Sequence, residues 1–250
     1  MTLHRFYIGP WRWDPGHLVL DEAESRHASE VLRLRPGDLV SVFNGAGDEV
    51  HARIAWQDKK TTRLTPESHH HSPPPAVRLL LAQAIPKGKN MDLVLQKAAE
   101  LGAAGILPLL TERTVVRLDP AEAADKQEKW QRIVIEACKQ CGQNHLPEVH
   151  LPQPIGDFLH HLPTTSLPLI AALAPEARPL QQILSGLPAR PASALVLIGP
   201  EGDFTPGEVT TALAAGCHAL SLGPIILRTE TAAVYALSVL GYELFRDAEA

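Results

Sequence analysis

The residues most able to do chemistry lie in two loops near the C-terminus, each leaving an apolar strand through glycine and proline. The first is Leu195-Val-Leu-Ile-Gly-Pro-Glu-Gly-Asp-Phe-Thr-Pro-Gly-Glu-Val209, a buried strand that runs into a glycine-proline turn and then a helix start. Thr205 fits an N-cap, Pro206 the first helical position and Glu208 the reciprocal partner of a capping box. The second is Leu222-Gly-Pro-Ile-Ile-Leu-Arg-Thr-Glu-Thr-Ala232, which presents Arg228, Thr229, Glu230 and Thr231 ahead of a helix striped by Ala233, Val234, Leu237 and Leu240. Polar groups packed between a strand end and a buried helix are costly unless partners or a ligand satisfy them. Each loop also has a plain structural reading. The first can be an ordinary strand-to-helix turn, and in the second Thr229 or Thr231 can cap a helix whose dipole favours Glu230. Two such loops in succession, at strand ends where open α/β sheets bind ligands, point to a ligand site.

The elements that must position these loops follow from periodicity. Val77 to Ala84 is a nearly continuous apolar run, and Met91, Val94, Leu95, Ala98 and Leu101 then recur at helical spacing, with Gly102 as C-cap. Gly105 to Leu110 reads as the next strand and Ala121 to Cys141 as a long helix. Apolar runs follow at Leu167 to Leu173, Ala194 to Ile198 and Ala219 to Leu222. Continuous apolar strands interleaved with helices predict a mostly parallel α/β sheet covered on both faces. Before residue 73 the pattern differs. Leu39 to Phe43 and Glu49 to Ile54 alternate around Asn44-Gly-Ala-Gly47 and read as a β-hairpin, while only Ala23 to Leu34 looks helical, with Ala28, Val31, Leu32 and Leu34 as its stripe. The expectation is a small β barrel-like module over residues 1–72 and an α/β domain over 73–250. The boundary is set at Ser68 to Ala76, where three prolines favour extended backbone and His69, His70 and His71 read as solvated linker.

Composition limits the alternatives. Apolar residues make up 45% and charged residues 20%, which excludes disorder and fibrous repeats. There is no apolar run of about 18 residues for a membrane span, and Met1 to Tyr7 lacks the apolar core of a secretory signal. The cytoplasm is the expected address. The net charge of −5 does not announce nucleic-acid binding, so any RNA surface must be a local patch. Cys138, Cys141 and Cys217 are too few and odd in number for a disulfide framework. Cys138 and Cys141 with His145 and His150 have the residue types of a zinc site, but no second Cys-x-x-Cys follows, and no metal is expected. No Gly-x-Gly-x-x-Gly follows the first strand of the α/β domain, and Lys87-Gly-Lys-Asn90 lacks the spacing of a phosphate-cradling Walker loop.

Taken together, Lys87 to Gly102, Glu136 to Asn144, Gly199 to Phe204, Leu222 to Ala232 and, nearer the N-terminus, Arg26 to Asp38 resemble the RsmE family across nearly the whole chain. The resemblance implies a PUA-like RNA-binding barrel followed by a SPOUT methyltransferase domain with a C-terminal trefoil knot, a rare exception to unthreaded chains. It implies a homodimer that uses S-adenosylmethionine to methylate N3 of one uridine, position 1498 by the family's convention, in 16S ribosomal RNA of the small subunit. No DNA and no membrane partner is implied. By the same resemblance Leu173, Gly199, Pro200, Glu201, Gly202, Leu222, Gly223, Ile226, Leu227 and Thr229 shape the donor pocket. Arg228 and Glu230 are the catalytic pair, with Arg228 stabilising charge on a uracil oxygen and Glu230 positioning Arg228 or taking the proton. Arg5, Arg26, Arg33, Arg35, Lys87 and Lys89 are the RNA-binding candidates, with Arg12, Arg113 and Lys139 as further basic residues. The sequence departs from the family at Ile225, where arginine is usual, and at Gln143 and His145, where basic residues are common. A catalytically silent RNA-binding or ribosome-assembly protein of the same fold is the competing reading.

Overall fold

The computed structural model describes residues 3–162 and 167–245. The chain divides into two compact units, Met1–Pro74 with Ile135–Leu146, and Pro75–Val134 with Pro147–Ala250.

In the first unit β1 (His4–Tyr7), β2 (Val19–Leu20), β3 (Leu39–Phe43), β4 (Asp48–Gln57) and β5 (Thr62–His71) form one sheet, in the order β1-β3-β4-β5-β2. The expected hairpin is β3 and β4, paired from Phe43 opposite Glu49 to Leu39 opposite Arg53. Asn44 turns it, its side-chain oxygen accepting the amides of Ala46 and Asp48. Alternation along β4 sends Val50, Ala52 and Ile54 inward to meet Phe6, Val40, Val42 and Leu64, with Val50 and Ile54 each stabilising by about 1.5–3 kcal/mol.

Two expectations for this unit are corrected. The helix expected over Ala23 to Leu34 is a short α1 (Glu22–Arg26), capped by Asp21, followed by a wider turn over His27–Val31. There the Leu32 amide reaches back to His27 O at 3.0 Å. The extra residue in that turn carries Val31 off the apolar stripe and leaves it 65% exposed, while Ala28 stays buried. His69, His70 and His71 are not linker but the end of β5, paired with Val50, Glu49 and Asp48. Pro66 is tolerated inside that strand because the register shifts between His51 and Ala52. A hydrogen bond from His71, at 2.8 Å, holds the Asp48 carboxyl below its usual range.

The second unit contains β6 (Arg78–Ala84), α2 (Asn90–Glu100), β7 (Ala103–Leu110) and α3 (Pro120–Cys141), the last seven residues of α3 belonging with the first unit. β8 (Glu148–Val149), β9 (Gln153–Pro154), α4 (Ile155–His160), β10 (Leu167–Ala171), α5 (Leu180–Ser185) and β11 (Ser193–Ile198) follow, then α6 (Pro206–Ala214), β12 (His218–Leu220) and α7 (Thr229–Phe245). The sheet runs β12-β10-β11-β6-β7, with β8 and β9 both on β7, and its paired strands are all parallel. Burial of β11 from Ala194 to Ile198 explains why it reads as an unbroken apolar run. After β12, at the sheet edge, the chain returns to lay α7 over β11 and β6. The connection leaving β10 is itself tied to β12, with Arg178 bonded to Ala219 and Ser221.

Candidate functional site

A cavity of about 590 Å³ opens where β10, β11 and β12 end, walled by residues 171–173, 198–203, 220–223, 225–230 and 232 together with Asn90. This volume is ample for a nucleoside-sized ligand. Leu173, Gly199, Pro200, Glu201, Gly202, Leu222, Gly223, Ile226, Leu227 and Thr229 all line it, as do Arg228 and Glu230. Much of the wall is apolar yet uncovered. Leu173 is 68% exposed, Ile225 74% and Ile226 76%. Apolar side chains gathered around a concavity and left in water mark a surface built for an occupant. Gly223 sits at φ 111°, a region closed to most side chains, and open space faces its missing Cβ. Among the described residues the backbone amides of Leu222, Ile226 and Leu227 find no protein acceptor, so they are free to read a ligand's acceptors.

The polar groups behind the wall are satisfied by one another. Thr229 is 4% exposed, donates to Gly199 O at 2.6 Å and accepts Gln83 Nε2 at 3.0 Å. Its hydroxyl is therefore a tie between α7, β11 and β6, and not a helix cap. The full capping box at Thr205 and Glu208, with Pro206 at the helix start, is present as the sequence predicts. Glu201 accepts the Lys87 amide at 2.9 Å. Asp203 is a wall residue that sequence reasoning missed. It holds a left-handed φ of 61°, and its carboxylate accepts the amides of Phe204 at 2.8 Å and Leu173 at 3.3 Å. Aspartate is one of the few side chains that visit this region readily, which is the signal that was available in Gly-Pro-Glu-Gly-Asp. Asn90 was missed as well, although it lies in the Lys87 to Gly102 segment that carries the resemblance.

Of the two roles expected for Glu230, positioning Arg228 or taking the proton, the first has no contact behind it. Among the described residues the Arg228 guanidinium has no carboxylate partner, and Glu230 instead receives Asn90 Nδ2 at 3.4 Å. Both face the cavity, so Arg228 is free to meet a ligand.

The basic candidates separate by exposure. Arg26, Arg33, Arg35, Lys87 and Lys89 lie on the surface, Arg26 in a pair with Glu22. Arg5 is turned inward, its side chain 7% exposed, bonded to Cys138 O and Asn144, close to Glu49 and over the Phe43 ring. Arg5 is a strut of the first unit and cannot offer its charge to phosphate. Lys139 is likewise held by Glu24 and Glu136, and Arg113 is spent on backbone carbonyls of the 199–204 loop. Burial pushes the thiols of Cys138 and Cys217 up to about 12, which leaves both as inert core residues. His145 bonds Ser72 O, and among the described residues no three metal-ligating side chains converge.

Residues 73–241 match a family described as an RNA methyltransferase domain, and residues 20–65 match the RNA methyltransferase PUA domain. The chain is 31% identical over 225 residues to the ribosomal RNA small subunit methyltransferase E of Bacillus subtilis, covering 88% of each chain. A Legionella pneumophila protein solved in complex with bound SAM superposes with a TM-score of 0.89 at 37% identity, covering 97% of this chain and 98% of that one. A ribosomal RNA small subunit methyltransferase E from Neisseria gonorrhoeae, bound to S-adenosyl methionine, gives 0.86 at 32% identity over 97% and 98%. The fold is the SPOUT α/β class with its C-terminal trefoil knot, preceded by a PUA-like β module.

Proposed function

The chain belongs to the RsmE family of RNA methyltransferases, and from that membership we propose that it methylates 16S ribosomal RNA of the small subunit from S-adenosylmethionine. The observation that carries the proposal is the cavity at the ends of β10, β11 and β12, with its uncovered Leu173, Ile225 and Ile226 and its unsatisfied amides at Leu222, Ile226 and Leu227. A flat adenine fits between such apolar side chains while backbone amides meet its ring nitrogens. Bound there, S-adenosylmethionine supplies a methyl group on a cationic sulfonium.

The finer assignment is N3 of one uridine, position 1498 by the family's convention. Uracil N3 carries a proton and attacks poorly until it is lost. This chain's task is to hold the base in line and to accommodate the charge left on its carbonyl oxygens. Arg228, exposed on the cavity wall and without a carboxylate partner among the described residues, donates to one of those oxygens. Glu230, oriented by Asn90, is the acceptor on hand for the N3 proton. As the N3–methyl bond forms, the sulfur–methyl bond breaks and the sulfonium charge is discharged.

Residues 1–72 serve as the RNA-binding module and 73–250 as the catalytic domain, with Arg26, Arg33, Arg35, Lys87 and Lys89 meeting phosphates. The protein works as a homodimer in the cytoplasm, and the exposed faces of Tyr235, Tyr242 and Leu93 offer apolar surface for pairing. Mass mapping of methyluridines in ribosomal RNA from cells with and without the gene tests the activity. One methyluridine must disappear on deletion, and a calorimetric titration that detects no donor binding would instead support the silent RNA-binding protein.

A further inference from the structure

Outside the cavity wall, one turn has its outward-facing groups committed to the loop that forms the wall. The chain leaves β7 at Leu110 and turns at once. Thr114 Oγ1 accepts the Thr111 amide at 3.1 Å and meets the Thr111 hydroxyl at 2.8 Å, and the Thr114 amide returns to Thr111 O at 3.2 Å. Both threonines are buried. Between them Glu112 and Arg113 lie exposed, and the Glu112 backbone amide and the Arg113 side chain each meet the 199–208 segment.

The Glu112 amide donates to Glu208 Oε1 at 2.8 Å, while Glu208 Oε2 accepts the Thr205 amide at 2.8 Å. One carboxylate therefore caps α6 and anchors the turn together. Arg113 Nη1 donates to Gly202 O at 2.6 Å and Phe204 O at 3.3 Å. The aliphatic part of Arg113 fills the space beside Gly202, where an added Cβ would come within 3.3 Å of Cδ. Fixing the Gly202 carbonyl fixes the plane of the peptide that enters Asp203, which is held at φ 61°. The N–H of the same peptide, that of Asp203, donates to Pro200 O at 2.9 Å, so Arg113 secures the carbonyl side of a peptide whose amide side is tied within the loop.

We infer that the Thr111–Thr114 turn is a clamp that keeps the donor loop in its binding shape, with Arg113 as the positioning residue. The inference rests on the donor reading above. Arg113 acts through the Gly202 and Phe204 carbonyls and contributes to donor affinity without touching the donor.

The test compares Arg113→Met and Arg113→Lys with the unaltered full-length protein. Donor affinity is read by calorimetry with S-adenosylmethionine, RNA affinity with a 16S fragment, KM and kcat on small subunits, and amide hydrogen exchange over 199–208. Loss of a charge-assisted bond at an exposed site predicts a rise of about tenfold in donor Kd for Arg113→Met. KM for the donor rises more than kcat at saturation falls, exchange over 199–208 quickens, and RNA affinity holds. Arg113→Lys, which keeps the charge and a donor nitrogen able to reach the same carbonyls, returns Kd to within about threefold of the starting value. An unchanged donor Kd with weakened RNA binding would make Arg113 a phosphate contact and overturn the inference. A lysine variant as impaired as methionine overturns it as well. Should Arg113→Met not fold, Arg113→Gln takes its place, with the same rise in donor Kd and faster exchange over 199–208 expected and an unchanged donor Kd overturning the inference. If the unaltered protein binds no donor, it is the donor reading that fails, and the clamp then stands or falls on whether exchange over 199–208 quickens in the variants.

Discussion

Replacing Thr229 by valine tests whether the cavity is braced from behind. Valine matches threonine in shape, so no void is made and only the hydroxyl is lost. Two bonds vanish, the 2.6 Å donation to Gly199 O and the 3.0 Å acceptance from Gln83 Nε2. Gln83 Nε2 keeps Ala84 O at 2.8 Å, so the larger loss falls on the Gly199 carbonyl at the cavity wall. A net bond is worth about 1 kcal/mol, and stranding a buried partner adds about 1–3 kcal/mol, giving about 2–4 kcal/mol in all. For a unit of this size each kcal/mol lowers Tm by about 2–4 °C, so a fall of about 5–15 °C is expected. Thermal unfolding checks the size, and calorimetric titration with S-adenosylmethionine checks that donor affinity falls with it. Thr229→Ser keeps the hydroxyl and loses one methyl, and should stay within about 1.5 kcal/mol of the unaltered protein. Valine within about 0.5 kcal/mol of threonine, or serine as damaging as valine, would refute the brace.

Arg228→Ala should lower kcat by about 10²–10³ while donor Kd changes less than about twofold, measured by single turnover and calorimetry. Asp203→Ala removes the ties to Leu173 and Phe204 and keeps a left-handed backbone, so it should destabilise by about 1–3 kcal/mol in denaturant unfolding, with Asp203→Gly recovering about 1 kcal/mol. A thiol reagent at neutral pH should find Cys141 promptly in the native protein and reach Cys138 and Cys217 only on unfolding, because burial pushes those two up to about 12. Burial also raises the Glu24 carboxyl, against the pull of Lys139. The folded state then holds its proton to higher pH than the unfolded chain does. The stability of the protein relative to Glu24→Gln should accordingly decline as pH rises from the ordinary glutamate value through the raised one, then level off.

The order of strands and helices is legible in the sequence because the central buried strands of the parallel sheet are nearly continuous apolar runs, unbroken over Ala194–Ile198 in β11 and interrupted by Gln83 in β6, and because caps such as Thr205 with Glu208 are local chemistry. The wider turn at His27–Val31 is not legible, since one extra residue in a turn leaves composition untouched and changes only which side chains face inward. The three histidines after Ser68 mislead for a related reason. Polar, proline-flanked residues resemble linker, yet backbone pairing with Asp48–Val50 needs nothing from their side chains. The cavity divides the same way. Apart from Asn90, the residues that line it lie close together in three short segments, whereas the groups that shape those segments come from far along the chain. Gln83 and Thr229 are 146 residues apart, Lys87 and Glu201 114, and Arg113 and Gly202 89. No periodicity or spacing rule spans such distances, so Arg113 reads as a spare surface charge until the fold brings it under Gly202. Substitutions at Gln83, Arg113 or Thr229 should therefore imitate ligand-site variants in activity. What separates them is loss of stability or of loop protection in the absence of donor, which a substitution at an exposed wall residue such as Ile226 should not cause.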